Sequence, residues 1–197
     1  LSRGPSIWRS PVENAEGIVD FAPVNDVIKG NVEVTIRPVV PDDAALIAGL
    51  FNSLSPESIY NRFLSPMRRA SPELLDRATK FDCDVEFALI ACIPGADGCH
   101  AIGVGRFKCC GPDRAEAAIV VPDAWQRKGL ATLILRYLAK AAVQRGIYWF
   151  DSTIDPNNKK LLKFAEAVGF KGTTKYCDGL LSMETDVLKL FLKPQEC

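Results

Sequence analysis

The stretch that decides the fold of this chain reads Val120-Val121-Pro122-Asp123-Ala124-Trp125-Gln126-Arg127-Lys128-Gly129-Leu130-Ala131-Thr132. Apolar residues before Pro122 predict a buried strand, and helical spacing after Gly129 predicts that a helix follows. The first turn of that helix offers no clear side-chain cap, and it is small and basic. Free backbone N–H groups and the positive end of the helix dipole therefore predict an anion site, a cradle suited to pyrophosphate.

Two other phosphate-binding loops do not match this stretch. A Walker A loop requires Gly followed by Lys, whereas the order here is Lys128-Gly129. A dinucleotide-binding loop needs three spaced glycines that open a helix. Gly103-Val104-Gly105 lacks the third glycine and leads into more strand. An ordinary short strand-to-helix loop is the remaining alternative to a cradle.

Hydrophobic periodicity beyond the cradle predicts an α/β protein. Apolar residues recur at helical spacing from Leu130 to Ala141, and Gly146 ends this helix. A second amphipathic helix is predicted over residues 157–168, closed by Gly169.

Shorter helices are predicted in the first half of the chain, over residues 44–51 and after the N-cap residues Ser55 and Ser71. Strands are predicted over residues 32–36, 85–93, 101–108, 115–121, 147–154, 170–176 and 181–190. This order of elements indicates one mixed sheet with helices on both faces.

The composition excludes several classes of protein. Of 197 residues, 48% are hydrophobic and 24% charged, which is too apolar for disorder and suits one domain or one domain with an appendage. Basic and acidic residues number 24 each, so a bulk electrostatic grip on nucleic acid is not expected. No uncharged apolar run reaches the roughly 18 residues of a membrane span. The N-terminus also lacks the pattern of a signal peptide.

Cysteine and histidine usage argues against a metal site. The seven cysteines are irregularly spaced without a C-x-x-C pair, and His100 is the single histidine, so a structural zinc site lacks ligands. A Ser-His-Asp triad lacks its nucleophile motif as well. We expect reduced thiols in a cytoplasmic protein with no metal.

Residues 1–31 are predicted to be an N-terminal arm or linker, and residues 32–197 the main domain. Scattered prolines and glycines give the first segment a linker composition. Its apolar residues Trp8, Ile18 and Phe21 predict that it packs on the domain or on a neighbouring chain.

Three segments match the motifs of one enzyme family. Gln126-x-x-Gly129-x-Ala131 after a strand resembles the Q/R-x-x-G-x-G/A signature of the GNAT N-acetyltransferase superfamily. Thr35-Ile36-Arg37-Pro38 followed by Asp42-Asp43 resembles the family's first strand and helix. Asn158 with Gly169-Phe170 resembles its second acyl-CoA segment.

The resemblance spans about Val34 to Leu190 and implies the GNAT fold. That fold has a mixed, mostly antiparallel central sheet, here of about six or seven strands, with helices on both faces. Ser53 to Ser58 and Ala115-Glu116-Ala117 further resemble the bacterial protein lysine acetyltransferases of the Pat type. In those proteins the domain is often joined to a cyclic-nucleotide-binding or acyl-CoA-synthetase module.

The resemblance implies acetyl-CoA as cosubstrate and assigns contacts to it. The pantetheine would run beside Val120 and Val121 through sheet-like hydrogen bonds, and Asn158 would contact the cofactor from the next helix. The pyrophosphate would lie on Gln126, Arg127, Lys128, Gly129, Leu130, Ala131 and Thr132.

Transfer to an amine needs a base, and Glu116 is the predicted one. A lysine of pKa near 10.4 must give up its proton at a cost of roughly 4–5 kcal/mol at pH 7. Glu116, Ala118 and Val120 share one face of the cofactor strand. A carboxylate on a central strand should be desolvated, which suits a base. The alternative is a salt-bridged structural glutamate.

The sequence departs from the family at the general acid. Many GNAT enzymes carry a Tyr seven residues after the Asn, and here that position is Ala165. A thiol of pKa near 8.5 is a tolerable leaving group without it. Tyr60 and Tyr176 are the possible substitutes.

The predicted function is transfer of acetyl from acetyl-CoA to an amine, first of all a protein lysine, by direct attack on the thioester. Two alternatives stay open: acetylation of a small-molecule amine, and a non-catalytic acyl-CoA sensor. The expected partners are acetyl-CoA, the amine acceptor and a fused or neighbouring regulatory module, with neither nucleic acid nor membrane.

Overall fold

The computed structural model describes residues 21–95, 98–177 and 179–192. The strands are β1 (Val24–Ile28), β2 (Val32–Pro38), β3 (Glu86–Gly95), β4 (Gly98–Cys109), β5 (Arg114–Val120), β6 (Trp149–Ile154), β7 (Lys171–Cys177) and β8 (Leu180–Asp186). The helices are α1 (Ala44–Asn52), α2 (Pro56–Phe63), α3 (Pro72–Thr79), α4 (Leu130–Gln144), α5 (Lys159–Val168) and α6 (Val187–Leu192).

The strands form one sheet in the order β1-β2-β3-β4-β5-β6-β8-β7. Every neighbouring pair is antiparallel except β5 and β6, which run parallel. The predicted fold class is therefore confirmed, with eight strands rather than six or seven. Among the described residues, no helix combines the length and apolarity that crossing a membrane requires.

The additional strand, β1, lies inside the segment predicted as an arm. It pairs with β2 through a turn at Gly30 and Asn31, both of which have positive φ, as tight hairpin turns require. Phe21 is buried and packs against Phe87 and Tyr137, as expected of an arm that covers the domain. Trp8 and Ile18 lie outside the described residues, and the division of the chain at residue 32 stays a prediction.

The end of the chain also differs from the prediction. The strand expected over residues 181–190 stops at Asp186, and α6 follows. The Asp186 carboxylate accepts a hydrogen bond from the Leu188 backbone N–H, which starts the helical turn. Val187 and Leu190 are buried in the core next to α4, so tertiary packing outweighs the strand propensity of this stretch.

Two serines begin the short helices as predicted. The Ser55 hydroxyl accepts from the Ser58 N–H at 3.1 Å, and the Ser71 hydroxyl accepts from the Leu74 N–H at 3.2 Å. These bonds satisfy backbone donors that a helix start leaves free, so α2 and α3 begin where their proline-containing N-terminal motifs place them.

The two faces of the sheet carry different cores. One face packs α4 and α6 onto a continuous core that includes Phe87, Phe107 and Phe150. The other face packs α1, α2 and α3 onto two smaller clusters. Gly103 and Gly105 let α4 approach β4 closely, since a Cβ at Gly105 would lie 2.4 Å from Ile134.

A buried ion pair anchors the start of α1. Asp43 lies in the 3₁₀ turn Pro41–Asp43 and accepts two hydrogen bonds from the Arg37 guanidinium of β2, at 2.6 and 2.7 Å. It also accepts the Val40 N–H at 2.8 Å. In the segment that resembled the first strand and helix of the family, Arg37 of β2 thus makes a bidentate contact with Asp43 of the following turn.

Candidate active site

The parallel strands β5 and β6 separate along their length. Their pairing covers Arg114 with Trp149, and ends with Glu116 opposite Asp151. Strand β5 continues to Val120, so its last four residues have no partner on the β6 side within the described chain. An unpaired strand edge offers N–H and C=O groups to an extended ligand, which can add to the sheet as a further strand would.

The predicted cradle lies at the end of this opening. Gly129 is the N-cap of α4 with φ +83°, and among the described residues no side chain caps the helix. The first N–H groups of a 15-residue helix therefore face outward with the positive end of its dipole. This is the geometry that binds phosphate.

The sequence-predicted cradle residues divide into backbone and side-chain contributors. The Leu130 side chain is buried in the core, so only its backbone can meet a ligand, and Ala131 and Thr132 are half-buried behind it. Arg127 is exposed and Lys128 is half-buried at the loop, and both add positive charge. Arg127 has φ 60°, which completes the tight turn into Gly129.

The side chain of Gln126 is engaged inside the protein. Its Nε2 donates to the Val121 carbonyl at 3.1 Å and to the Ser58 hydroxyl at 3.4 Å. Gln126 therefore fixes the shape of the loop, and its contribution to a ligand would come from the backbone. This role was not predicted.

A second set of contacts, which we call the clasp, ties α2 to the same loop. The clasp consists of Asp123 with Ser55 and Ser58. The Ser58 hydroxyl donates to Asp123 at 3.1 Å, and the Ser55 N–H donates at 3.2 Å. Burial alone would raise the pKa of Asp123, but these hydrogen bonds outweigh it and lower the pKa. Sequence reasoning missed the clasp because its members are more than sixty positions apart.

Glu116 lies on the sheet face that α2 covers. Its neighbours across the sheet are Lys108 and Asp151. Lys108 pairs instead with Glu86 at 2.9 Å, and within the described chain no salt bridge or hydrogen bond engages the Glu116 carboxylate. Its charge acts on Arg62 of α2, and the choice between a base and a structural glutamate stays a prediction.

The expected burial of Glu116 is wrong, because its side chain is exposed. Ala118 and Val120 of the same face lie beneath the helices, but Glu116, two residues earlier, lies at the edge of that layer. An exposed carboxylate beside the strand opening is accessible to an incoming amine.

Asn158 caps α5 rather than pointing freely at the opening. Its Oδ1 accepts the Leu161 N–H at 3.0 Å, which leaves the amide N–H₂ group as its remaining polar function. Asn158 lines a cleft of about 320 Å³ between α2 and the start of α5, together with Tyr60 and Asn61.

The position that carries a tyrosine in many GNAT enzymes is buried here. Ala165 is 3% exposed and contributes only to packing. Tyr60 is 44% exposed and lines the cleft beside Asn158. The side chain of Tyr176 lies outside the described residues. Tyr60 is thus the substitute that the described structure places near the opening.

A partly open cavity of about 70 Å³ lies under α1, α2 and α3, against β3, β4 and β5. Its lining is apolar except for Arg62 and Arg106. Ala118 and Val120 of β5 contribute to it, so the cavity adjoins the strand that borders the opening. Arg68 and Arg69, which follow Arg62 in the sequence, are exposed.

The comparisons with known proteins agree with this geometry. A model of the acetyltransferase (GNAT) domain family matches residues 33–171, and the chain belongs to this family. GNAT acetyltransferases use acetyl-CoA and an amine acceptor, and the chain is an N-acetyltransferase. Among the described residues, no group of three or more potential metal ligands occurs.

Individual relatives extend over most of the chain. An acetyltransferase of Pseudomonas aeruginosa is 28% identical over 169 residues, which are 83% of this chain and 91% of that protein. The GNAT domain of S. lividans Pat has a TM-score of 0.78 at 29% identity, covering 83% of this chain and 96% of the other.

A cAMP-binding acyltransferase from Mycobacterium smegmatis has a TM-score of 0.57 at 23% identity. The match covers 84% of this chain and 47% of the larger protein. At that identity the likeness concerns the fold alone.

Proposed function

We propose that this enzyme transfers the acetyl group of acetyl-CoA to the side chain of a protein lysine, with Glu116 as general base. The observation that carries the proposal is the alignment of three features along β5: the uncapped start of α4, the unpaired edge after Glu116, and an exposed, unpaired carboxylate at the point where pairing stops.

The pyrophosphate of acetyl-CoA would be held by backbone N–H groups of residues 129–132, with Arg127 and Lys128 adding charge. Charge-assisted hydrogen bonds of this kind are worth about 1.5–3 kcal/mol each before ordering costs. Lys128 stacks over the Trp125 ring at 4.6 Å, so part of its freedom is already restricted on the loop.

The pantetheine would occupy the opening between β5 and β6. Its amides can bond the free edge of Val120 and the residues before it, as an added strand does. The Val121 carbonyl accepts one hydrogen bond from Gln126, and its second lone pair and the Val121 N–H stay available beside Val120. Asn158 would contact the same ligand through its amide N–H₂ group.

The chemistry is a direct attack. The lysine ammonium gives one proton to Glu116, and the nitrogen of the resulting amine bonds to the thioester carbon. The C–S bond breaks, the nitrogen releases its second proton to water as the amide forms, and the thiolate takes up a proton. Water has access to the exposed Glu116 and can supply that proton, so the tyrosine missing at position 165 is not required. No covalent acyl-enzyme is involved.

A protein lysine is the preferred acceptor for two reasons. The side chain of Glu116 is exposed at the sheet surface, where a lysine carried by another protein can reach it. The structure also resembles the GNAT domain of S. lividans Pat, and the match covers 83% of this chain and 96% of that domain. The supply of acetyl-CoA and the free thiols among the described cysteines suit a cytoplasmic location, and a fused or neighbouring regulatory module is part of the proposal.

The test is an acceptor panel. Purified protein is incubated with acetyl-CoA and either folded metabolic enzymes, lysine peptides or free amines, and thiol release and mass shifts are measured. Acetylated lysine on a folded protein supports the proposal. Turnover with free amines alone would make the enzyme a small-molecule acetyltransferase. Tight acetyl-CoA binding without turnover for any acceptor would make it an acyl-CoA sensor.

A further inference from the structure

The cavity under α1, α2 and α3 is lined by an arginine, Arg62, that forms no salt bridge among the described residues. Arg106 forms a salt bridge with Glu86, whose side chain is 12% exposed. Arg62 lines the same cavity, and within the described part of the chain it forms no ion pair or hydrogen bond. Its guanidinium only stacks on Phe63, at 5.2 Å from the ring centre.

A cation in this position is costly for the protein. Burial and the charge of Arg106 lower the pKa of Arg62, and Glu116 only partly offsets them. An arginine nevertheless stays protonated in proteins, so the charge cannot be removed by titration. A partly desolvated charge is stabilised by an anion that reaches it.

The position of the cavity indicates which ligand can bring that anion. Ala118 and Val120 line the cavity with their side chains, while their backbone forms the free edge of β5. A group attached to a thioester on that edge therefore lies next to the mouth of the cavity. The acceptor amine has a separate approach over the exposed Glu116.

We infer that the cavity receives the acyl chain of a donor longer than acetyl, and that Arg62 pairs with a terminal carboxylate on that chain. The donors of this class are the CoA thioesters of short dicarboxylic acids, with three or four carbons. The inference rests on the proposed function, because it uses the acyl-CoA position assigned there.

The size and lining of the cavity fit such a chain. About 70 Å³ has room for several water-sized groups, enough for a methylene and a carboxylate. Phe51 and Leu54 supply apolar contact for the methylene groups, and the guanidinium can bind the carboxylate in bidentate geometry. An uncharged chain of equal length would leave Arg62 unpaired.

The group transfer itself is unchanged. The amine nitrogen bonds to the thioester carbon, the C–S bond breaks, CoA leaves as the thiolate, and the amine proton passes by way of Glu116 to the thiolate or to water. The carboxylate of the acyl chain takes no part in the bond changes and ends on the product as a new negative charge in place of the lysine's positive one.

The test measures binding, because the acceptor does not need to be identified for it. Calorimetry compares acetyl-CoA, butyryl-CoA, malonyl-CoA and succinyl-CoA on the wild-type chain and on R62Q, R62K and R68Q. Arg68 is the matched control, since it is exposed and outside the cavity. We expect wild type to bind malonyl-CoA or succinyl-CoA at least tenfold more tightly than butyryl-CoA.

We expect R62Q to remove this preference with less than a threefold change for acetyl-CoA, R62K to keep part of it, and R68Q to keep all of it. A wild type that binds butyryl-CoA as well as the two charged donors overturns the inference, as does an equal loss in R62Q and R68Q. If acetyl-CoA binds normally in those cases, the proposed function is unaffected. If acetyl-CoA does not bind at all, the proposed function itself fails and the inference fails with it.

Discussion

The two faces of the central sheet differ in what they contain. The face under α4 and α6 holds a series of packed rings, Phe21, Phe87, Phe107 and Phe150, with neighbouring centres less than 6 Å apart. The face under α1, α2 and α3 holds two small clusters, a cavity and the arginines that line it.

This difference separates stability from chemistry. A dense apolar face supplies most of the hydrophobic free energy of folding, because that free energy is roughly proportional to the apolar area removed from water. The other face has smaller apolar clusters and keeps a cavity beside them. Variants on the two faces should therefore affect different measurements.

The largest effect is expected from Glu116→Gln, on the face under α1, α2 and α3. The amide keeps the shape of the side chain but cannot accept the amine proton. We expect kcat/KM to fall by about 10²–10⁴, the usual contribution of a positioned base, with acetyl-CoA affinity nearly unchanged. The loss should shrink as the pH approaches the acceptor lysine's own pKa, near 10.4, because free amine then forms without help.

The control for Glu116 is Glu33→Gln, which changes an exposed glutamate of β2 far along the sheet. It should leave the rate unchanged at every pH. If the Glu116→Gln enzyme is fully active at pH 7, or equally impaired at all pH values, Tyr60 or water acts as the base instead of Glu116.

The second effect concerns the stability of the fold and is expected on the face under α4 and α6. Phe107 is fully buried, and its ring lies 5.7 Å from those of both Phe87 and Phe150. Phe107→Ala should lower the free energy of unfolding by about 3–5 kcal/mol in urea titrations. Phe51→Ala should cost clearly less, since Phe51 belongs to a small cluster and already borders a cavity. Equal losses would remove the proposed difference between the faces.

The third effect is a pH-dependent loss at the start of α1. Burial would raise the pKa of Asp43, but hydrogen bonds from Arg37 and from the Val40 N–H lower it overall. The ion pair therefore stabilises the fold above the ordinary carboxyl pKa of 3.8, and this stabilisation is lost as the pH falls through the lowered value. Asp43→Asn should cost about 2–3 kcal/mol at pH 7, less than a fully buried pair because the Arg37 side chain is 24% exposed.

Urea unfolding of wild type, Asp43→Asn and the exposed neighbour control Asp42→Asn tests this at several pH values. The wild-type advantage over Asp43→Asn should be constant from pH 7 to 5 and shrink below pH 3.8. An advantage that persists unchanged into strong acid would show that the ion pair is not its source.

The smallest effect tests the cradle. Gly129 and Gly146 both have positive φ, +83° and +75°, and a Cβ at either would meet no atom within 4 Å. Valine at each position should therefore carry a similar backbone strain at the two ends of α4. Gly129→Val should weaken acetyl-CoA binding at least tenfold by calorimetry, whereas Gly146→Val should leave it intact. Similar affinities for both variants would place the pyrophosphate elsewhere.

Local patterns predicted the parts of the molecule that depend on local physics. The periodicity after Gly129 and the serine N-caps produced α4, α2 and α3 where they were expected. The proposed anion cradle follows the same logic, because a helix start without a cap is visible in one turn of sequence.

Most features that escaped prediction depend on partners far along the chain. Strand β1 is the exception, because its partner β2 follows directly after the Gly30-Asn31 turn. Strand β1 was hidden by the linker-like composition around it, and α6 by the strand propensity of its apolar residues. The clasp joins Asp123 to α2, and the packing of α2 on the sheet places Arg62 in the cavity beside β5. No spacing rule connects such residues, because only the packed sheet brings them together.

The β1–β2 hairpin also contacts the loop that leads into α4, which forms the proposed cradle. The Lys29 N–H in its turn donates to the Lys128 carbonyl at 3.1 Å, two residues before the start of α4. The outermost strand of the sheet thus supports the loop that is expected to receive the cofactor. Shortening the protein from its N-terminus past this turn would therefore act as a mutation of the cofactor site, and the length of polypeptide kept in a recombinant version becomes a kinetic variable.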